Sequence, residues 1–472
     1  MPSNISYRIR RNGVLNLPRG SSTSKTVAEA LLEKDVEQHH LYFNTSQFHN
    51  HLAHHLLAAL DLGATAGLLQ KIYDVEERMQ RPIILEEKDR DIQITEENWS
   101  EYLGTKHQNA YSGFVDFFNL RISTFGVMKT IDEFIFSPAA QENSMLPRFM
   151  GGVGHPFILL GYALEFGNDG LVATALASTC IHDPFIPLAF EPSFNPTSSP
   201  GVPVLEILHL LSSSSSFEPI PYPKVGIPFG VGFQYYSKED KAIGELCSKF
   251  HVSESATDSE MQEKIKELVW ASVLMLFATG KEGREPRLDF FLMHLVTASL
   301  FLQSFVRVLE KQEHKTIIIK AFLPFIISIS LFNGRPTIKP ELIMAATDKP
   351  RPPHGPGSSL HKRSEQGGIG SPLNDEDYNP WSALIEASLY ATDSHVLKTM
   401  RTLVMAARDY GDTPAGSITG AKAIPGASKL DGSIFVRAAG VLMDYMGWTT
   451  FGEKEREDWD RSGLGWDDAW KN

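Results

Sequence analysis

The stretch ALIEASLYATDSHVLKTMRTLVMAARDYG, residues 383–411, decides the fold class. Its apolar residues recur at intervals of three and four positions, which is the period of an α-helix with one buried face. Gly411 closes the run, as glycine commonly does just beyond a helix C-terminus. The same period runs through 68–80 and 261–280, and almost no segment alternates polar and apolar residues. The sequence therefore predicts an all-α protein.

Only minor segments depart from this pattern. SYRIRRNGVLNL (6–17) and KVGIPFGVGFQYY (224–236) are predicted as short, peripheral extended pieces. The length of 472 residues alone would suggest roughly three domains, but large helical enzymes often form one body, so a single large multi-helix domain is predicted. The absence of a fixed internal repeat argues against a solenoid. The predicted parts are an N-terminal arm at 1–40, a helical domain at 41–447 with a mobile loop rich in Gly, Pro and Ser at 348–380, and an acidic, aromatic tail at 448–472.

Composition excludes several classes of protein. With 44 Lys and Arg against 57 Asp and Glu, the net charge is -13, and no basic cluster offers a site for nucleic acid or an anionic membrane. Two cysteines, Cys180 and Cys247, are too few for a disulfide framework. The first twenty residues lack the apolar run of a secretory signal, so a cytoplasmic location is expected. The apolar runs at 288–306 and 316–332 are interrupted by ionisable residues, Asp289 and His294 in the first and Lys320 in the second, which favours buried core helices over membrane spans.

FHNHLAHHLL, residues 48–57, places four histidines within seven positions. If this stretch is a helix, His51 and His55 project from one face and can reach one metal ion. His51 and His54, three residues apart, also lie close on the helix surface but are less well aligned. His49 lies on a different face, where it is expected to be a cap or a supporting group. The ordinary alternative is a helix start with capping and core histidines.

Three isolated residues could complete such a site. His155 precedes Pro156 at a predicted helix start, where it could equally be a turn residue. His294 lies in a very apolar helix, where a core histidine bonded to a carbonyl is also common. Lys398 follows His395 by three residues in the opening stretch, and a lysine there normally extends to the surface. If Lys398 is buried, its neutral amine can react with carbon dioxide to give a carbamate, an anionic oxygen ligand.

Four blocks, at 42–65, 151–167, 290–302 and 394–411, occur in the order of similar blocks in the questin oxidase-like family, which the chain resembles from about residue 40 to Gly447. The resemblance implies a helical oxygenase of secondary metabolism that opens the central ring of an anthraquinone-type polyketide with dioxygen. It further implies a non-haem Fe(II) centre held by four histidines and a carboxylated lysine. Carried onto this chain, the resemblance places ligands at His155, His294 and Lys398. The other two histidines come from 48–57, where the helical spacing favours His51 and His55.

Several alternatives remain within this interpretation. His54 can replace either His51 or His55, and His395 is a supporting partner for the carbamate. The family was long described as a Baeyer-Villiger type oxidation that draws on NADPH, so a flavin-independent, NADPH-dependent mono-oxygenase is the first alternative. No GxGxxG follows a strand, which makes a bound dinucleotide improbable and leaves NADPH as an indirect reductant. A non-catalytic helical scaffold is the second alternative.

Overall fold

The computed structural model describes residues 5–191, 201–353 and 369–471. Within these ranges the regular structure is helical, and the β-type pairing recorded there consists of three isolated bridges. The prediction of an all-α protein is confirmed. The α-helices are α1 Ser24–Gln38, α2 Leu52–Asp61, α3 Ala66–Glu76, α4 Tyr111–Phe125, α5 Val127–Ile131, α6 Pro138–Glu142, α7 Met145–Phe149, α8 Gly151–Phe166, α9 Asp169–Cys180, α10 Val204–Ser213, α11 Pro228–Tyr236, α12 Asp240–Cys247, α13 Asp258–Phe277, α14 Phe290–Ser299, α15 Phe301–Val308, α16 Gln312–Phe332, α17 Pro340–Ala345, α18 Trp381–Leu389, α19 Ser394–Tyr410 and α20 Ile434–Met446.

The chain forms two compact units, each assembled from three separate stretches. The predicted boundaries near residues 40 and 447 stay predictions, and part of the predicted mobile loop, 354–368, lies outside the described residues. The first unit comprises Met1–Val202, Phe233–Leu268 and Thr297–Ile329, and the second comprises Pro203–Gly232, Val269–Val296 and Ser330–Asn472.

The core of the first unit is built around α8 and α9. Helix α9 packs against α4 and α8, and α8 also packs against α15. Both α8 and α9 are buried along nearly their whole length, as their apolar residues on all sides require. Gly161 is needed in this packing because a Cβ there would lie 2.4 Å from Cγ of Phe301. His155 therefore lies in a helix that is packed tightly against α9 and α15.

The second unit contains the stretch 383–411. The stretch forms two helices, α18 and α19, separated at residues 390–393. Asp393 caps α19 by accepting the backbone N–H of His395 at 2.8 Å. Helices α18 and α19 both pack against α20. The tail is docked within this unit, where Trp459, Trp466 and Trp470 are buried.

The predicted extended segment at 224–236 is wrong, because Pro228–Tyr236 forms α11. Its buried positions are Pro228, Gly232 and Tyr236, which are four residues apart and therefore follow the helical period. Gly232 lies so close to the chain at Phe332 that a Cβ would meet the Phe332 carbonyl oxygen at 2.4 Å. The glycines that made this stretch look unlike a helix serve this close packing.

Two apolar helical stretches have the length and composition of membrane spans, Phe290–Val308 and Gln312–Phe332. In each, 83% of the apolar window is buried inside the protein. Core helices of this kind pass the same compositional test as true spans. The burial therefore favours the interpretation as core helices.

Candidate metal centre

The histidine-rich stretch at 48–57 is only partly helical. Helix α2 begins at Leu52, so His51 occupies its N-cap position and His49 precedes it in an isolated bridge with Tyr42. Asn50 stops the helix from starting earlier, because its side-chain oxygen accepts the backbone N–H of Leu52 at 2.9 Å. His51 therefore lies at the start of the helix rather than on the helix face predicted for it with His55, and His49, predicted as a cap or supporting group, precedes the helix.

His51 and His155 meet through their ring nitrogens. Their Nε2 atoms lie 2.9 Å apart, and the Nδ1 of His155 donates to the carbonyl of Gly152 at 2.5 Å. A neutral imidazole that donates through Nδ1 keeps a lone pair on Nε2. This is the tautomer that a metal-binding histidine requires, with its other nitrogen held by a carbonyl.

His49 and His182 form a second pair whose rings also meet through their Nε2 atoms. Their Nε2 atoms are 2.8 Å apart, and the Nδ1 of His182 donates to the carbonyl of Ser178 at 2.6 Å. Burial lowers the pKa of His182 to about 4, so its ring is neutral at physiological pH. The ring of His49 stacks on that of His155 with centroids 3.8 Å apart, which joins the two pairs. Sequence reasoning missed His182, because a lone histidine carries no spacing signal.

The GGVG turn before His155 makes this cluster possible. Gly152 and Gly154 adopt positive φ angles of 54° and 78°, where glycine is favoured. A Cβ on Gly152 would lie 2.3 Å from Nε2 of His182 and 3.0 Å from Nε2 of His49. The turn therefore brings the backbone against two imidazoles at a distance that no other residue permits.

His54 and His55 point to different surroundings. The ring centroid of His54 lies 5.6 Å from that of His51 and 6.3 Å from that of His155. His55 instead pairs through Nδ1 with the carboxylate of Glu76 on α3. The structure thus brings His54, the alternative kept at the sequence level, beside His51 and His155. His55 as a ligand stays a prediction, with a buried Nε2 that has no hydrogen-bond partner among the described residues.

The remaining predicted ligands lie in the second unit. His294 on α14 is 0% exposed, and its Nδ1 donates to the carbonyl of Phe290 at 2.8 Å. His395 on α19 donates through Nδ1 to the carboxylate of Asp393 at 2.7 Å. The two rings have centroids 5.2 Å apart. In both histidines, as in His155 and His182, Nδ1 is therefore the ring nitrogen held by an acceptor oxygen.

Lys398 is only 2% exposed, so the surface-extended alternative is excluded. Burial by itself raises the pKa of Asp393, but its charge interaction and hydrogen bonds with His395 outweigh burial and hold that pKa well below its ordinary value. Asp393 is fixed further by the indole N–H of Trp459, which donates to its other oxygen at 2.9 Å. An ionised Asp393 thus orients His395 one turn from the buried lysine.

The histidines described above are of a residue type that suits a first-row transition metal. His51 and His155 in the first unit and His395 in the second are each suited to offer a ring nitrogen to an ion. Imidazole nitrogen is a favoured ligand of iron, and the carbonyl or carboxylate behind each Nδ1 is the usual second partner of a metal-binding histidine. In the Nε2 pairs at 2.8 and 2.9 Å one imidazole can donate to the other, and the same spacing also lets both nitrogens bind one cation.

Asp289 holds the start of the helix that carries His294, and it gives a testable pH dependence. Its Oδ1 accepts the backbone N–H groups of Phe291 and Leu292 at 2.8 and 2.9 Å. Burial, with a smaller contribution from the charge of Asp460, raises its pKa to about 7. Because the folded protein retains a proton that the unfolded chain releases, stability falls as pH rises from the ordinary aspartate pKa towards 7.

We expect Asp289→Asn to remove this dependence. Asparagine keeps the acceptor oxygen and cannot ionise, so the variant should exceed the wild type in stability at pH 8 by on the order of 3 kcal/mol. At pH 4 the two proteins should be nearly equal. Urea unfolding at both pH values measures the difference, and identical pH profiles would refute the raised pKa.

The sequence model of the questin oxidase-like family matches residues 48–403. The chain is 27% identical over 308 residues to the Baeyer-Villiger oxidase AgnL3 of Paecilomyces divaricatus, covering 62% of this chain and 65% of that protein. It is 28% identical over 288 residues to a questin oxidase of Aspergillus terreus, covering 59% and 63% of the two chains. The chain thus spans just under two thirds of these relatives.

Proposed function

Because the chain belongs to the questin oxidase-like family, we propose that it is an oxygenase of secondary metabolism that cleaves the central ring of an anthraquinone-type polyketide at a non-haem iron centre. One observation supports the iron more than any other. His155, His182, His294 and His395 all donate Nδ1–H to a fixed oxygen, so Nε2 is the nitrogen through which each would bind a metal ion. Metal-binding histidines almost always have their second ring nitrogen held in this way, so these four rings have the orientation that a metal centre needs.

We propose Fe(II) ligation by His51, His155, His294 and Lys398, with the fourth histidine supplied by His55 or by His54. A ferrous ion in such a set supplies the one-electron chemistry that lets dioxygen react with an organic substrate. The carbonyl of Gly152 and that of Phe290 hold the rings of His155 and His294. Helices α8 and α14 exclude water from those rings, since both are buried.

Lys398 is proposed to carry the negative charge of the set. A buried primary amine favours its neutral form, which reacts with carbon dioxide to give a carbamate and one proton. The carbamate oxygens are anionic, so they balance the charge of a divalent ion that imidazoles alone leave uncompensated. Asp393 keeps His395 oriented through a 2.7 Å hydrogen bond. His395 is thus a positioning residue for this part of the centre.

The proposed reaction requires dioxygen and two reducing equivalents. It breaks the bond between a quinone carbonyl carbon and an aromatic ring carbon, and it leaves a carboxylic acid on one ring and a phenol on the other. The product therefore gains two oxygen and two hydrogen atoms. Dioxygen supplies the oxidant, and NADPH supplies the electrons indirectly by reducing the quinone to its hydroquinone beforehand. We propose the cytoplasm, the main site of NADPH, as the place of action.

Isotope labelling distinguishes the proposed dioxygenase cleavage from a Baeyer-Villiger type mono-oxygenation, the reaction that appears in the names of several relatives. A dioxygenase cleavage should place two atoms of ¹⁸O from ¹⁸O₂ in the ring-opened product. A Baeyer-Villiger insertion followed by hydrolysis should place one, since the second oxygen then comes from water. Mass spectrometry of the product distinguishes these results. Double labelling supports the proposed reaction, whereas single labelling assigns the chain to the NADPH-dependent mono-oxygenase type.

A further inference from the structure

The segment 459–461 of the C-terminal tail contacts the starts of two helices in the second unit, α14 and α19. Helix α14 carries His294, and α19 carries His395. The segment lies beyond 48–403, the part of the chain that the family model matches. Trp459 within it is only 2% exposed. This part of the tail is therefore packed inside the unit, beside both histidines.

The start of α14 is bound to the segment through the main chain, where Asp289 and Asp460 form a parallel bridge. The carbonyl of Asp460 accepts the backbone N–H of Phe290 at 2.7 Å, and the backbone N–H of Asp460 donates to the carbonyl of Leu288 at 2.9 Å. The carbonyl of Phe290 in turn accepts the Nδ1–H of His294 at 2.8 Å. Phe290 thus links the tail to the ring of His294.

The side chain of Phe290 contacts both histidines. Its ring centroid lies 4.9 Å from that of His294 and 5.4 Å from that of His395, in edge-on geometry. The guanidinium carbon of Arg461 lies 4.2 Å from the centroid of the Phe290 ring, a distance typical of a cation–π contact. The tail therefore holds Phe290 at its backbone and at its ring. A displacement of this ring would move both imidazoles.

The start of α19 is held by the neighbouring residue of the tail. The indole N–H of Trp459 donates to one oxygen of Asp393 at 2.9 Å, and the other oxygen accepts the Nδ1–H of His395 at 2.7 Å. Hydrogen bonds to an ionised carboxylate are stronger than those between neutral groups. Trp459 therefore limits the movement of Asp393 and, through it, the rotation of the His395 ring. Lys398 lies one turn further along the same helix.

We propose that segment 459–461 is a positioning element that fixes the imidazoles of His294 and His395 relative to each other. It acts through two side chains and one backbone carbonyl. The consequence for a bound metal ion rests on the proposed function, whereas the positioning of the two rings does not. Partners that hold metal ligands typically contribute about 10 to 100-fold to metal affinity. Loosening of the segment should therefore weaken metal binding by about tenfold.

Trp459→Phe tests the contact at α19, and Trp470→Phe is its matched control. Each variant removes one buried indole N–H, and that of Trp470 donates to the carbonyl of Leu464 within the tail at 2.9 Å. In protein without added metal, amide hydrogen exchange in peptides that cover 393–402 should be about tenfold faster in Trp459→Phe, because a hydrogen bond to a charged acceptor is lost. Trp470→Phe should exchange there like the wild type.

Titration with Co(II), followed through its visible absorption bands, measures the consequence for a metal ion. The affinity should be about tenfold lower in Trp459→Phe, with altered bands, and unchanged in Trp470→Phe. A merely structural loss would lower the stability of both variants and leave the bands of bound Co(II) as they are in the wild type.

Arg461→Met tests the contact at α14, and Arg351→Met is its matched control. Each arginine lies over an aromatic ring and pairs with one aspartate, and for Arg351 these partners are Tyr378 and Asp375. Exchange in peptides that cover 288–296 should be about threefold faster in Arg461→Met, since a cation–π contact is lost. Arg351→Met should exchange there like the wild type.

The outcomes separate the positioning role from the proposed function. Faster local exchange in Trp459→Phe and Arg461→Met, with both controls like the wild type, supports the positioning role. Unchanged exchange in Trp459→Phe, or equal acceleration in Trp470→Phe, overturns it. If Trp459→Phe does not fold by circular dichroism, the Arg461→Met comparison decides. The exchange differences without any Co(II) binding by the wild type support the positioning role and reject the proposed metal centre. Equal Co(II) affinity in wild type and Trp459→Phe overturns the effect on the metal.

Discussion

Replacing Lys398 with methionine is expected to remove bound iron and ring-opening activity while the protein stays folded. Lys398 is 2% exposed, so the change substitutes an apolar side chain of similar length for a buried amine. Such replacements are often neutral or stabilising, because a desolvated polar group is removed. Loss of a group that merely supports a metal ligand already costs about 10 to 100-fold. Loss of the anionic ligand should therefore reduce activity by at least about 100-fold.

The control is Lys71→Met, which changes an exposed lysine on α3. It should retain iron, activity and the free energy of unfolding of the wild type. Metal analysis, product formation and urea unfolding are measured on all three proteins. A Lys398→Met protein that keeps its full iron content and activity would exclude Lys398 as a ligand. If the wild type, Lys71→Met and Lys398→Met all lack bound iron and ring-opening activity, the result supports the alternative of a non-catalytic scaffold.

Gly152→Ala is expected to lower both the stability and the iron content of the protein. It changes no proposed metal ligand and acts by steric conflict with the neighbouring imidazoles. The residue has a φ of 54°, and a Cβ would lie 2.3 Å from Nε2 of His182. A non-glycine residue in this conformation costs about 1 to 2 kcal/mol, and the displaced imidazole adds to that cost. We expect the free energy of unfolding to fall by roughly 3 kcal/mol in total and iron to be lost with the His49 and His182 geometry.

Gly67→Ala is the matched control on α3, where a Cβ would meet nothing within 4 Å. That variant should be unchanged or more stable by about 0.5 to 1 kcal/mol, since alanine is the better helix former. Urea unfolding and iron content measure both variants. An undiminished stability and iron content in Gly152→Ala would contradict the tight packing of the turn against the imidazoles.

Sequence alone predicts the helices because their signal is local. The apolar period in α19 and the caps around it are readable from a few neighbouring residues. Helix α11 was missed because its glycines are used for close packing against a distant segment, which no local pattern reveals. The start of α2 was misplaced by three to four residues, since the Asn50 side chain competes with the helix for the backbone N–H of Leu52.

The candidate site was only partly predictable, because the orientation of its side chains depends on contacts between residues distant in the sequence. The density of histidines at 49–55 identifies a special segment, but the choice between His54 and His55 depends on Glu76, a residue on another helix. His182 has no neighbouring motif and appears only through its 2.8 Å contact with His49. The burial of Lys398 is likewise a property of tertiary packing. Local spacing therefore finds candidate ligands, whereas their orientation requires the fold.

The iron content of the purified protein tests the central claim most directly. We predict about one iron per chain, retained in Gly67→Ala and Lys71→Met and lost in His155→Ala and Lys398→Met, with activity following the iron. Inductively coupled plasma mass spectrometry gives this ratio. A folded, active protein without stoichiometric iron, or one whose iron is unaffected by both His155→Ala and Lys398→Met, would contradict the account.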